Sequence, residues 1–290
     1  MRYAKGHGTG NDFIILPDAD DRLELSPALV RQLCDRRTGI GADGVLRVVT
    51  ASAASLGAHG LRSPDVPWFM DYLNADGSVA EMCGNGIRVF ARYLVDHGLA
   101  AGQELAIGTR AGVRVVRRDN DELFSVDMGP ATVTGAGSVV IGGHRRPGIA
   151  VNVGNPHLAC LISEPVASFD LSCPPRVDAA EFPDGVNVEV VRVTGERAVE
   201  MRVHERGSGE TMSCGTGAVA AAVAAASAAG QWPASGPWNG STGEWIVQVP
   251  GGTLAVTPSP TASLLTGPAV IVAEGEIDPR WLSRGAADRS

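Results

Sequence analysis

The chain alternates short apolar runs with clusters of Gly, Pro, Asn and Asp. Residues 13–16, 45–49, 68–73, 112–116 and 123–128 are rich in β-branched, leucine or aromatic residues and are bounded by such clusters, which predicts strands. The same pattern predicts strands at 151–153, 158–162, 186–193, 198–203, 245–249 and 270–273. Three stretches carry a helical signature instead. Ser26 followed by Pro27 has the form of an N-cap and first helical position, predicting a helix to about Arg37. Apolar residues at 87, 90, 91, 94 and 95 predict a second helix, opening at the CGNG turn (83–86) and stopped by Gly98. From about Gly217 to Gly230 the chain is alanine-rich and apolar almost all round, predicting a helix covered by sheet on most sides.

The chain also repeats itself. GND at 10–12 is echoed by GNP at 154–156, DGV at 43–45 by DGV at 184–186, and CGNG at 83–86 by CGTG at 214–217. Each match alone is weak, because Gly and Asn are common in turns. Three in the same order argue for an internal duplication. A polar, Gly- and Pro-punctuated insertion at 51–67 accounts for part of the drift in spacing. The expected class is α/β (α+β), with two pseudo-symmetric domains, each a curved mixed or antiparallel sheet wrapped around a central helix. Residues 1–130 with Cys83, completed by 275–290, form the first expected domain. Residues 131–274 with Cys214 form the second.

Composition narrows the functions available. The 290 residues carry 24 basic and 32 acidic side chains, a net charge of −8, and the arginine pairs are scattered. That excludes a general affinity for nucleic acid or anionic membranes. No apolar stretch reaches the roughly 18 residues that span a bilayer, and the sequence MRYAKGHGTGND lacks the apolar core of a secretory signal. The expectation is a cytoplasmic protein acting on a small molecule. Five cysteines, at 34, 83, 160, 173 and 214, form no C-x-x-C pair, so neither a disulfide framework nor a zinc site is indicated. Cys34 and Cys160 sit in apolar runs as core residues, and Cys173 lies in a Pro-rich loop. Cys83 and Cys214 remain.

Both open a Cys-Gly-X-Gly turn at a predicted helix N-terminus. Such a terminus leaves N–H groups without intrahelical acceptors and carries roughly half a positive charge. A thiol there is expected to acidify from about 8.5 towards neutrality. The glycines let N–H groups approach an anion closely. Two such turns suit inversion of an α-carbon: a thiolate removes the proton from one face, a thiol returns one to the other, and the N–H groups hold the carboxylate as it becomes an enediolate. The thiols are expected to titrate as a coupled pair. No lysine accompanies either turn, so a phosphate loop is not indicated.

These motifs resemble the diaminopimelate epimerase family. The matching phrases are KGHGTGNDF (5–13), DRRTGIGADGV (35–45), YLNADGSVAEMCGNGIRVFARY (72–93), GNPH (154–157), FPDGVNVEVV (182–191) and ERGSGETMSCGTGA (205–218), and the PGG turn (250–252) and TGPAVIVAEGEI (266–277) are also family-like. The resemblance implies inversion of one α-centre of LL-2,6-diaminoheptanedioate to the meso form in lysine and peptidoglycan-precursor biosynthesis, without pyridoxal phosphate or metal. It implies Cys83 and Cys214 as the catalytic pair. The backbone at Gly84-Asn85 and Gly215-Thr216 would hold the reacting carboxylate, with Asn11 close to the reacting centre. Asn74, Asn155, Asn187 and Arg206 would bind the distal amino-acid end. His157 and Glu205 would lie near the thiols, Glu205 also against substrate. A homodimer is the family-like expectation. One departure stands out: many members carry glutamine where this chain has Gly44, and a backbone carbonyl or a water would have to replace that contact.

The residue chemistry agrees independently. A substrate with an amino acid at both ends needs two carboxylate sites, and Arg206 offers a fork for the distal one. Asparagines supply donors and acceptors without adding charge. Asn74 and Asn155 also precede turn residues, where Asn serves conformation alone. Two other readings stay open: a racemase of a mono-carboxylate amino acid, which would leave Arg206, Asn74 and Asn187 idle, and a non-catalytic protein in which the two thiols form a redox-sensing disulfide.

Overall fold

The computed structural model describes residues 1–54, 65–232 and 243–282, so residues 55–64 of the insertion and 283–290 of the closing segment lie outside the described residues. Two units divide the chain: Met1–Val126 with the chain from Pro268 onward, and Asp127–Gly267. The strand Val270–Glu276, which the sequence places up to residue 274 in the second half, belongs with the first unit because it pairs antiparallel with Arg2–Gly8, from Arg2 opposite Glu276 to His7 opposite Val270.

In the first unit the strands lie in the order Val270–Glu276, Arg2–Gly8, Asn11–Pro17, Gly44–Thr50, Trp68–Asn74, Glu104–Thr109, Gly112–Arg118. Leu123–Asp127 follows on Gly112–Arg118. All neighbours are antiparallel except Asn11–Pro17 with Gly44–Thr50 and Trp68–Asn74 with Glu104–Thr109. In the second unit the order is Thr132–Ile141, His144–Asn152, Pro156–Ile162, Asn187–Gly195, Ala198–Glu205, Trp245–Val249, Gly252–Thr257, Leu264–Pro268. The parallel pairs fall at the same two places, Pro156–Ile162 with Asn187–Gly195 and Ala198–Glu205 with Trp245–Val249. Each unit even adds a short hairpin strand before its Cys-Gly-X-Gly turn, Val79–Ala80 in one and Gly209–Thr211 in the other. The GND/GNP and CGNG/CGTG phrases are thus the trace of a repeated topology, whereas the DGV echo is out of register by two, since strand pairing makes Gly44 the counterpart of Asn187.

Helix α1 spans Pro27–Cys34, with the Ser26 hydroxyl accepting from Leu29 N at 3.2 Å. It ends before the expected Arg37 because Asp35 turns extended and its carboxylate accepts from the N–H groups of Arg37 and Thr38. Val30, Leu33 and Cys34 bury against Ile14, Leu16, Val45 and Leu73. Helix α2, Gly84–Asp96, buries Ile87, Val89, Phe90, Ala91 and Leu94 against the sheet of its own unit. Each large apolar side chain so buried contributes about 1.5–3 kcal/mol. Helix α3, Gly215–Ala228, is buried from Gly217 to Ala226, and its alanines let the surrounding strands come close. Gly98 and Gly230, with φ of 65° and 69°, follow α2 and α3 in the left-handed conformation.

Several strands had no apolar run to announce them. Arg2–Gly8, Glu104–Thr109, Thr132–Ile141, most of His144–Asn152, Gly252–Thr257 and Leu264–Pro268 are rich in Gly, Arg or Thr. Pairing on both edges stabilises Arg2–Gly8 despite its sequence. The hairpin of Thr132–Ile141 with His144–Asn152 turns on Gly142-Gly143, both at positive φ. That glycine pair is the signal that the apolar pattern lacks. Among the described residues, no helix is long and apolar enough to cross a membrane.

Candidate active site

Cys83 and Cys214 occupy equivalent positions. Each is the N-cap of its helix in extended backbone, at φ −140°, ψ 124° and φ −123°, ψ 120°. Each sulfur accepts from the amide three residues on, Gly86 N or Gly217 N, at 3.4 Å. Sulfur thus takes the capping role usually filled by a Ser, Thr or Asp oxygen. Space is tight at both glycines: a Cβ on Gly86 would sit 3.3 Å from Leu46 Cδ2, and one on Gly217 only 2.9 Å from Glu189 Oε1.

Around Cys83 a chain of polar contacts orients Asn11. Its Nδ2 donates to Asp43 Oδ2 at 2.7 Å, which turns its Oδ1 towards Asn85 Nδ2 (3.3 Å) and Cys83 Sγ (3.7 Å). Asp43 accepts in turn from Arg36 Nη2 at 2.7 Å, and Arg36 and Lys5 also hold Asp12. Burial of Asp12 opposes its ionisation, yet the hydrogen bonds from Arg36 and Lys5 prevail and hold its carboxyl well below the usual range. On α2 itself, Arg88 is fully buried and donates to Gly84 O (3.0 Å) and Asn85 Oδ1 (2.9 Å).

Around Cys214 the polar groups are of the opposite kind. His157 and Glu189 are fully buried, with Nδ1 and Oε1 2.6 Å apart, and His157 Nε2 donates to Asn155 Oδ1 at 2.9 Å. Thr216 Oγ1 lies 3.5 Å from the Cys214 sulfur, and Glu205 accepts from Thr211 Oγ1 at 2.5 Å. Burial pushes the Cys214 thiol well above its ordinary value, Glu205 and Glu189 add to the rise, and the Thr216 and Gly217 contacts oppose it. The expected acidification by the helix terminus is therefore overturned for Cys214: desolvation outweighs the terminus. Burial likewise raises the core thiols Cys34 and Cys160 to about 12.

The residues matched to the distal end are held by the protein itself. Asn74 donates to Ser78 Oγ at 3.0 Å in a turn closed by Gly77, the conformational role its position suggested. Asn187 donates to Pro156 O (3.1 Å) and accepts from Arg206 N (2.9 Å), so both ends of its amide brace the backbone. Arg206 donates to Asp184 O at 2.8 Å and is exposed. At Gly44 a Cβ would lie 2.6 Å from Leu73 O and 2.7 Å from the Tyr72 ring. Ring and carbonyl occupy the space where a side chain would begin.

Sequence patterning missed three neighbours: Asp43, Arg88 and Glu189. The last two had a signal, since each is a charged residue inside an apolar run, IRVF and VNVEVV.

The model of the family described as diaminopimelate epimerase matches residues 3–134 and 149–272. The diaminopimelate epimerase of Thermobifida fusca is 52% identical over 96% of this chain and 98% of that protein. Those of Mycolicibacterium smegmatis and Mycobacterium tuberculosis are 50% and 52% identical, each over 97% of this chain and 98% of theirs. Among solved structures, a probable proline racemase from Agrobacterium radiobacter aligns with a TM-score of 0.67 at 15% identity, covering 97% of this chain and 95% of that one. A hydroxyproline epimerase from Agrobacterium vitis aligns at 0.66 and 16% identity, covering 97% and 94%. These distant structures share the fold. With its two matched cysteine turns and relatives at half identity along almost its whole length, the chain belongs to the diaminopimelate epimerase family.

Proposed function

We propose that the chain interconverts LL-2,6-diaminoheptanedioate and its meso isomer by a two-base mechanism, with Cys83 and Cys214 as the acid–base pair. One thiolate takes the α-proton from one face while the other thiol gives a proton to the opposite face, and the roles exchange in the reverse direction. The observation that carries this reading is the equivalence of the two cysteines: the same extended N-cap backbone, and the same amide bond to sulfur, at corresponding places in two units of matching topology. The N–H groups at Gly84-Asn85 and Gly215-Thr216 head helices whose positive ends favour a carboxylate and, more strongly, the enediolate it becomes. Asn11, turned by Asp43 to present its carbonyl to Cys83, contacts the reacting end. Exposed Arg206 takes the distal carboxylate, with Asn187 fixing its backbone and Asn74 and Asn155 lining that end. His157 and Glu205 polarise the surroundings of Cys214. Both proton transfers are thiol chemistry and call on no cofactor. The family membership further supports a homodimer, a cytoplasmic address and a place in lysine and peptidoglycan-precursor synthesis.

The test is conversion of LL-diaminopimelate assayed by chiral chromatography, with α-proton exchange followed in heavy water. Cys83→Ala and Cys214→Ala should each lower conversion by about 10²–10⁴-fold or more. A Cys→Ser variant should retain slow exchange on the face served by the surviving thiol. Near-normal epimerisation by either alanine variant would overturn the two-base reading.

A further inference from the structure

The two half-chains match in topology but not in the charge they bury beneath their cysteine turns. Phe13 pairs with Gly44 just as His157 pairs with Asn187 in the second unit, so Leu46 and Glu189, each two residues further along, are also equivalent. Gly86 faces Leu46 and Phe13, whereas Gly217 faces Glu189. Where α2 carries Arg88, five residues beyond its cysteine, α3 carries Val219. One thiol therefore sits over apolar side chains and a buried cation, the other over a buried carboxyl–imidazole pair.

Arg88 is a costly residue to bury. Its guanidinium is fully buried, its hydrogen bonds go to the neutral oxygens of Gly84 and Asn85, and its Nε has no partner among the described residues. No carboxylate pairs with it among the described residues. A buried cation without a counter-ion is strongly disfavoured, so one is expected nearby. Burial draws the guanidinium down to about 10, and the ionisable side chain placed to act against this is Cys83. The charged groups beside Asn11 neutralise one another, Asp12 and Asp43 being tied to Arg36 and Lys5 to Asp12, and Glu81, two residues before the cysteine, is exposed to solvent. The strand residues that face the turn, Asn11, Phe13 and Leu46, are uncharged. At Cys214 the neighbouring groups are Glu205, Glu189 with its partner His157, and Thr216.

We propose that Arg88 is the standing counter-ion of a Cys83 thiolate, and that burial beside Glu205 and Glu189 keeps Cys214 protonated, so that the resting protein carries one defined thiolate. This rests on the two-thiol reading and adds to it a direction. From rest, the C–H bond breaks towards Cys83, forming its S–H, while the S–H of Cys214 breaks to form the new C–H bond. The protein is left with the opposite protonation and needs proton exchange with solvent, or a reverse turnover, to reset. Arg88 acts through Cys83 and is a positioning residue.

The test is the pH profile of alkylation by iodoacetamide on the full chain, with each cysteine followed separately by peptide mass spectrometry. The midpoint for Cys83 should lie below that for Cys214 by at least about one pH unit, about tenfold in thiolate fraction. Arg88→Met should raise the Cys83 midpoint by a similar amount and leave that of Cys214 in place, and Arg88→Lys should restore most of it. Glu189→Gln should lower the Cys214 midpoint. Equal midpoints, a lower one for Cys214, or a Cys83 profile indifferent to Arg88→Met would overturn the assignment. If Arg88→Met does not fold, the wild-type comparison and Glu189→Gln decide. If these profiles behave as stated while the Cys→Ala variants still epimerise, the two-thiol reaction fails and the charge assignment survives.

Discussion

At the scale of single residues, the outcome turns on competing magnitudes. A helix N-terminus offers an anion about 0.3–2 kcal/mol, which corresponds to about 0.2–1.5 pKa units. Exclusion from water raises a thiol by more than that field lowers it. Cys214 is 5% exposed, so burial wins there. The same terminus still caps the sulfur and still binds carboxylate, so its field is present even where it does not set the resting protonation. Gly44 is a matter of space. Gly44→Gln would drive a Cβ to 2.6 Å from Leu73 O and 2.7 Å from the Tyr72 ring. The expected cost is about 1–3 kcal/mol, read as a lower urea midpoint in equilibrium unfolding. An unchanged midpoint would mean that the ring moves aside freely.

At the scale of elements, starts are written locally and stops only in part: Gly98 and Gly230 close α2 and α3 as the sequence implies, whereas α1 stops early. Ser26 and Pro27 announce α1, and the hydroxyl makes the capping bond to Leu29 N. Ser26→Ala should cost about 1 kcal/mol of unfolding free energy, measurable by urea titration, with activity reduced only as far as stability is. The end of α1 depends on Asp35 capturing the N–H groups of Arg37 and Thr38, which competes with helix continuation through a side chain that apolar periodicity ignores. The hairpin joining Thr132–Ile141 and His144–Asn152 was hidden for a related reason. Glycines and arginines carry little apolar signal, and the strands are stabilised by pairing along their whole length.

At the scale of the molecule, contacts distant in sequence take over. Lys5 and Asp12 from the first two strands meet Arg36 and Asp43 from the connection after α1 beside Asn11. The Asp12 carboxyl is depressed in the fold, so its contribution to stability is present above its unfolded value of about 3.9 and is lost as pH falls below it. The urea midpoint should therefore drop as pH goes below about 4, and Asp12→Asn should make that acid-side slope shallower. A slope unchanged by the substitution would show that Asp12 carries none of it. By itself the sequence determined the duplication, the two cysteine turns, the helix starts and the family, because repeats, caps and glycine turns are encoded in neighbouring residues. The strand order was beyond it, since edges such as Val270–Glu276 against Arg2–Gly8 join the two ends of the chain. So was the charge behind each thiol. Arg88 and Glu189 acquire their meaning only when folding strips them of water and sets each beneath one sulfur's helix, and burial and charge pairing belong to the tertiary structure alone.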